Sequence, residues 1–194
     1  MKIGIFGGSF NPIHNMHTDI ALYLLSKHYV DKIIFVPTGI KYEYKNNLIA
    51  NKYRYEMLEI VCQNNENLNV SDYEFKDYVV YTCETLKYFQ DMYKTDEIYF
   101  ICGTDNLSYI DEWKNGLNIL KKYKILVINR HGNDIKKLLD KYKEYQNNIY
   151  VVPMKLSDIS STFIRNRIKN NEDVSTLLNK DVFEYIRHNN LYKD

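Results

Sequence analysis

The sequence predicts a doubly wound α/β fold, a Rossmann-like parallel sheet with a helical C-terminal segment. Short apolar runs rich in Ile, Val, Phe and Tyr recur along the chain, segments with helical spacing separate them, and from Ser160 onward the pattern is helical with no further strand. Strands alternating with helices of about ten residues pair in parallel through right-handed crossovers. In such sheets ligands sit beyond the carboxyl ends of the strands, where the strand order reverses.

In chain order, the apolar run Lys2 to Phe6 is the first strand, and the spacing over Thr18 to His28 is that of a helix. Lys32 to Val36 (KIIFV) is a second buried strand, followed by a helix over Lys52 to Gln63. A third strand is expected at Leu68 to Tyr73, a helix at Thr82 to Tyr93, and a fourth strand in the run Ile98 to Cys102. Helical spacing returns at Gly116 to Tyr123, then a strand at Ile125 to Ile128, a helix at Asp134 to Tyr145, and the last strand at Ile149 to Val152. Helices over Thr162 to Lys169 and Lys180 to Asn189 complete a lid or buttress. With 194 residues and no low-complexity linker, one domain over residues 1–194 is expected, residues 158–194 being its helical part.

Composition removes several function classes. Lys+Arg total 26 against 25 Asp+Glu, a net charge of +1, so nothing global draws the chain to nucleic acid or an anionic membrane. Hydrophobic residues make up 45%, but no apolar run approaches the length of a membrane span. The start MKIGIFGGSF reaches glycine too soon for an export signal, and a cytoplasmic protein is expected. Cys62, Cys83 and Cys102 are odd in number and lack metal-ligand spacing, as in a reduced protein, with Cys102 a core residue in IYFIC. The Lys-rich stretch Lys136 to Lys143 interleaves leucines and reads as a solvated helix. A homo-oligomer stays open.

Three segments carry chemistry. The first strand runs into Gly7-Gly8-Ser9-Phe10-Asn11-Pro12-Ile13-His14-Asn15-Met16-His17. Paired glycines allow close backbone approach, and the helix behind them directs free N–H groups and a positive dipole end at the same point, which makes a phosphate site. Neither GxGxxG nor GxxxxGK[ST] occurs, disfavouring ordinary dinucleotide and P-loop chemistry. His14 and His17, three apart at a helix start, lie on one side; taken alone they fit a capping and a packed histidine as well as two anion donors. The second segment, Ile159-Ser160-Ser161-Thr162-Phe163-Ile164-Arg165, combines hydroxyls at a helix start with a guanidinium, a set suited to polyphosphate. The third, Gly103-Thr104-Asp105-Asn106-Leu107, follows the fourth strand as a loop and leads to Trp113, which could stack on an aromatic ring.

GGSFNPIHNMH, GTDNLSYIDEW and ISSTFIR, in this order and at these separations, resemble the bacterial nicotinate-nucleotide adenylyltransferases of the HxGH nucleotidyltransferase superfamily. Arg54-Tyr55-Glu56-Met57 and Tyr81-Thr82 with Thr85-Leu86 extend the likeness to nearly the whole chain. The resemblance implies adenylyl transfer from ATP to nicotinate mononucleotide, giving nicotinate adenine dinucleotide and pyrophosphate in NAD biosynthesis. It implies His14, His17 and Arg165 as catalytic groups, and Gly7, Gly8, Ser9, Phe10, Gly103, Asp105, Ile159, Ser160, Ser161 and Thr162 around ATP. Trp113 would stack on the pyridine ring, with backbone amides near Tyr81 and Thr82 facing its carboxylate. Mg²⁺ would travel mainly on ATP phosphates, with no protein metal site. Other readings are transfer to nicotinamide mononucleotide or another phosphorylated acceptor, and a non-catalytic nucleotide-binding regulator. Three departures stand out. Met16 replaces the family's glycine and would crowd the phosphates, Lys41-Tyr42-Glu43-Tyr44-Lys45 replaces a PPH(K) run, and Val80 stands where Ser is common. Lys41 or Lys45 would supply a compensating cation, or form a solvated loop.

Overall fold

The computed structural model describes residues 1–41, 48–129, 134–154 and 159–193. In chain order they form β1 (Lys2–Gly8), α1 (Asn15–Ser26), β2 (Lys32–Pro37), α2 (Asn51–Cys62), β3 (Leu68–Val70), α3 (Thr82–Met92) and β4 (Glu97–Gly103). There follow α4 (Thr104–Ser108), α5 (Gly116–Lys122), β5 (Lys124–Ile128), α6 (Ile135–Lys141), β6 (Ile149–Val152), α7 (Ser161–Lys169) and α8 (Lys180–His188). The six-stranded sheet has the order β3-β2-β1-β4-β5-β6, with every pairing parallel. The chain moves outward from β1 through β2 to β3, then returns to the other side of β1 for β4. The crevice beyond β1 and β4 is therefore the switch point at which α/β sheets bind ligands.

Alternation along the strands divides the core into two layers. Phe6, Ile33, Phe35, Ile101, Leu126 and Val152 pack under α1, α2, α7 and α8 through Ile20, Leu24, Leu58, Ile164, Val182 and Ile186. Ile3, Ile5, Ile34, Val36, Phe100, Ile125 and Val127 face α3, α4 and α5 through Leu86, Phe89, Leu107, Ile119 and Leu120. Both faces of the parallel sheet are thus covered, which explains why its strands read as continuous apolar runs. Cys102 is buried in the second layer, and the three cysteines are free. Burial pushes the Cys62 thiol up to about 12, out of reach as a nucleophile near neutral pH. No helix among the described residues is long and apolar enough to cross a membrane.

Four elements differ from expectation. Helix α1 begins at Asn15, with extended His14 as its N-cap, so the histidine pair spans the first turn. Strand β3 stops at Val70 rather than Tyr73, because after Ser71 N–H donates to the Phe35 carbonyl the chain enters an Asp72–Phe75 turn. The segment after β4, expected as a loop, is α4 followed by a 3-10 turn at Ile110–Glu112. The helix expected over Asp134 to Tyr145 ends at Lys141: its Asp134 cap accepts from Lys136 and Lys137 N–H groups, but Tyr142 turns inward and donates to Asp111 at 2.6 Å. A 3-10 stretch, Lys143–Asn148, carries the chain on to β6.

Met16 corrects a further expectation. It is the second residue of α1, is 8% exposed, and its side chain lies in the α1-side core layer rather than in the crevice. Met16→Gly therefore removes a packed core side chain and adds glycine's helix cost, together about 3 kcal/mol. Urea unfolding measures this, and a loss below about 1 kcal/mol would place the Met16 side chain outside the core.

Candidate active site

A cleft of about 440 Å³ opens over the carboxyl ends of β1 and β4. Its lining brings together Gly7, Gly8, Ser9, Phe10, His14 and His17 from the β1–α1 turn, Gly103 and Asp105 from the end of β4, and Ile159, Ser160, Ser161, Thr162 and Arg165 from the start of α7. Every residue assigned above to ATP or catalysis is thus on one surface. Asn11, Leu48 and Asn106, which the sequence did not single out, line it as well.

Local chemistry fixes the histidines. At the N-cap, His14 N–H donates to His17 Nδ1 at 3.3 Å, so an imidazole fills the role that Glu or Gln plays in an ordinary capping box. A nitrogen that accepts cannot carry the proton of the neutral ring, so in His17 the proton sits on Nε2. The two rings stack with centroids 3.8 Å apart. Phe10 meets His17 edge-to-face at 5.1 Å, and Phe6 does so at 6.1 Å, so the ring is held on three sides. Phe10 reaches that position with φ of 45°, in the left-handed region, and its ring packs over Gly8, where a Cβ would come within 3.0 Å of it.

The α7 end is built around the same loop. Ser160 caps α7 by accepting from Phe163 N–H at 3.1 Å, while Ser161 Oγ donates to the Pro12 carbonyl at 2.8 Å. Arg165 donates from Nη1 to the Asn11 carbonyl at 2.8 Å and from Nη2 to Thr162 Oγ1 at 3.1 Å. The first-turn amides of α7, its dipole and a guanidinium thereby converge on one side of the cleft, a favourable seat for a polyanion.

Beneath the loop lies a buried polar network. Arg54, fully buried on α2, donates to the Ser9 carbonyl at 2.8 Å, the Ile49 carbonyl at 3.2 Å and Asn51 Oδ1 at 2.6 Å. Burial pulls its pKa down to about 10, with Tyr192 and Glu74 acting against that. Asn11 Oδ1 accepts from Tyr192 Oη at 3.1 Å, which ties the C-terminal segment to the same turn.

A second cleft, about 130 Å³, shares Gly7, Gly8, Ser9 and Asn106 with the first. Thr82 and Trp113 line it, together with Thr38, Glu74, Val80, Thr85 and Phe100. Trp113 meets Phe100 edge-to-face at 6.3 Å. Its turn depends on Gly116, where a Cβ would lie 1.5 Å from the Ile110 carbonyl oxygen. Two expected contributors, Lys41 and Tyr81, are not in either described lining. Lys41 is an exposed turn residue outside both clefts, and Lys45 lies outside the described residues. Tyr81 N–H already donates to Glu84 at 2.9 Å, and that bond with the Lys114 ion pair holds the Glu84 carboxyl below its usual range, so Thr82 alone of the two remains at the cleft.

Residues 5–167 match the family described as cytidylyltransferase-like. The solved Plasmodium falciparum nicotinic acid mononucleotide adenylyltransferase complexed with NaAD superposes with a TM-score of 0.85 over 98% of this chain and 97% of that one, at 22% identity. Proteins named probable nicotinate-nucleotide adenylyltransferase are 39% identical in Clostridium novyi, over 99% of both chains, and 38% identical in Caldicellulosiruptor bescii, over 100% of both. Identity of that level over whole chains, on a shared fold, makes this chain a member of the nicotinate-nucleotide adenylyltransferase family.

Proposed function

We propose that the chain transfers the adenylyl group of ATP to nicotinate mononucleotide, and that the two clefts hold the two substrates. The observation that carries the reading is the convergence of His17, Arg165 and the α7 start on one cleft that shares Gly7, Gly8 and Ser9 with a second lined by Trp113 and Thr82. The 5′-phosphate oxygen of the mononucleotide attacks the α-phosphorus, and the bond from that phosphorus to the bridging oxygen of pyrophosphate breaks. No protein nucleophile is required, so positioning and charge stabilisation supply the rate. His17 Nε2–H donates to a non-bridging α-phosphoryl oxygen as its charge grows. Arg165 and the α7 amides hold the β and γ phosphates.

Among the described residues no cluster of three or more His, Cys, Asp or Glu side chains could hold a metal ion, and Asp105 is the one carboxylate lining the larger cleft. That donor set suits an ion carried by phosphate oxygens and water, with Asp105 as the lining carboxylate on the protein side. Mg²⁺ bound in this way would neutralise phosphate charge.

Arg165→Ala is expected to raise the KM for ATP by about ten- to a hundredfold, the cost of losing a charge-assisted contact. Steady-state kinetics at varied ATP measures it, and an unchanged KM with unchanged turnover would remove Arg165 from the site. For the acceptor, the first-turn amides of α3 at Thr82 can donate to both oxygens of a carboxylate, whereas a carboxamide turns its NH₂ toward a donor. A preference of about ten- to a hundredfold in kcat/KM for the acid mononucleotide is expected near neutral pH. Equal values for the two mononucleotides would count against this placement of the acceptor.

A further inference from the structure

The smaller cleft has one ionisable side chain among its described lining residues, the carboxyl of Glu74. The β3–α3 connection that carries it is closely held: a Cβ on Gly39 would lie 2.2 Å from the Glu74 carbonyl oxygen, so only glycine lets the two segments approach this closely. From α3, Thr85 Oγ1 donates to Glu74 Oε1 at 2.7 Å. From α2, the Arg54 guanidinium faces it, and Tyr73 neighbours it on its own segment. Arg54 and the Thr85 hydroxyl favour the ionised carboxylate, but burial outweighs both and pushes the group up to about 7, so both protonation states are populated near neutrality.

The two candidate acceptors differ only in a carboxylate against a carboxamide. An ionised Glu74 repels the first and accepts from the NH₂ of the second, whereas a neutral Glu74 lifts the repulsion and offers its O–H to a carboxylate oxygen. We propose that Glu74 is a specificity-determining residue of the acceptor cleft, whose protonation state sets the discrimination between acid and amide mononucleotides. The inference rests on the reading of the smaller cleft as the acceptor's.

The test is the ratio of kcat/KM for nicotinate mononucleotide to that for nicotinamide mononucleotide, followed from about pH 5.5 to about pH 8.5. Titration of the 5′-phosphate is common to both substrates and cancels in the ratio. In the unaltered protein the ratio falls by on the order of tenfold as pH rises through the Glu74 transition. In Glu74→Gln it is flat. In Thr85→Val, which keeps the side-chain shape and deletes the donor to the carboxylate, the transition moves to higher pH. That variant carries the test if Glu74→Gln does not fold. A pH-independent ratio with ready turnover of the acid mononucleotide would overturn the role of Glu74 and leave the acceptor assignment standing, and so would an unaltered pH dependence in Glu74→Gln. Absence of turnover with either mononucleotide would overturn both.

Discussion

Replacing His17 by alanine is expected to lower kcat by about two to three orders of magnitude, the scale on which a transition-state hydrogen-bond donor acts, with little change in the KM for ATP. The asymmetry follows from geometry. The ring is wedged by Phe10, Phe6 and His14, and its Nδ1 accepts from the His14 amide, so the imidazole is held in one orientation when charge develops on the α-phosphoryl group. Alanine also removes the acceptor that completes the α1 cap, worth about 1 kcal/mol of stability. His17→Gln separates the two effects, because a glutamine at the third helical position restores the capping acceptor but not the imidazole donor. Turnover measured by pyrophosphate release should be low in both variants, while the melting temperature recovers in the glutamine one. Near-normal turnover in His17→Ala would make the histidine pair structural.

The second large effect is one of stability. Arg54→Ala leaves the Ser9 and Ile49 carbonyls without their donor and opens a cavity where a fully buried side chain stood. Unsatisfied buried acceptors cost about 1 to 3 kcal/mol each, and with the cavity the total is about 3 to 5 kcal/mol. Urea denaturation gives the figure directly. Arg54→Lys should recover only part of it, since an ammonium cannot serve in the fork's geometry the partners that Nε, Nη1 and Nη2 now reach. A loss under about 1 kcal/mol in the alanine variant would mean that the loop over β1 is held without Arg54.

What the sequence disclosed and what it hid divide along sequence separation. The glycine turn, the histidine pair and the ISSTFIR segment each place donors at a strand end or helix start, and such signals are local, so most of the larger cleft's lining was readable in advance, whereas Asn11, Leu48 and Asn106 were not. Arg54 entered the sequence reading only within the Arg54-Tyr55-Glu56-Met57 run and without a role, because its partner Ser9 lies 45 positions away. Tyr192, 181 positions from Asn11, had no local signature of a loop anchor. Glu74 gave none either, since its setting is made by Gly39 and Thr85 from other segments. At Met16 the reading failed differently: substituting a large residue for a small one implied crowding, but a side chain on the second residue of a helix can turn to the core instead. Helix α4 escaped notice because five residues are too few to display a period.

The hydrogen bond from Tyr192 to Asn11 has a consequence for biosynthesis. A chain emerging from the ribosome presents β1 and its glycine turn first, and can lay down β2 and β4 on either side of it while much of the chain is still unmade. The turn gains the Arg165 contact only when α7 has emerged, and the Tyr192 contact only when that residue has. Nascent chains arrested before α7 would therefore carry the strands of the sheet without a finished seat for triphosphate, so that nucleotide affinity is acquired only after α7 has emerged rather than along with the sheet.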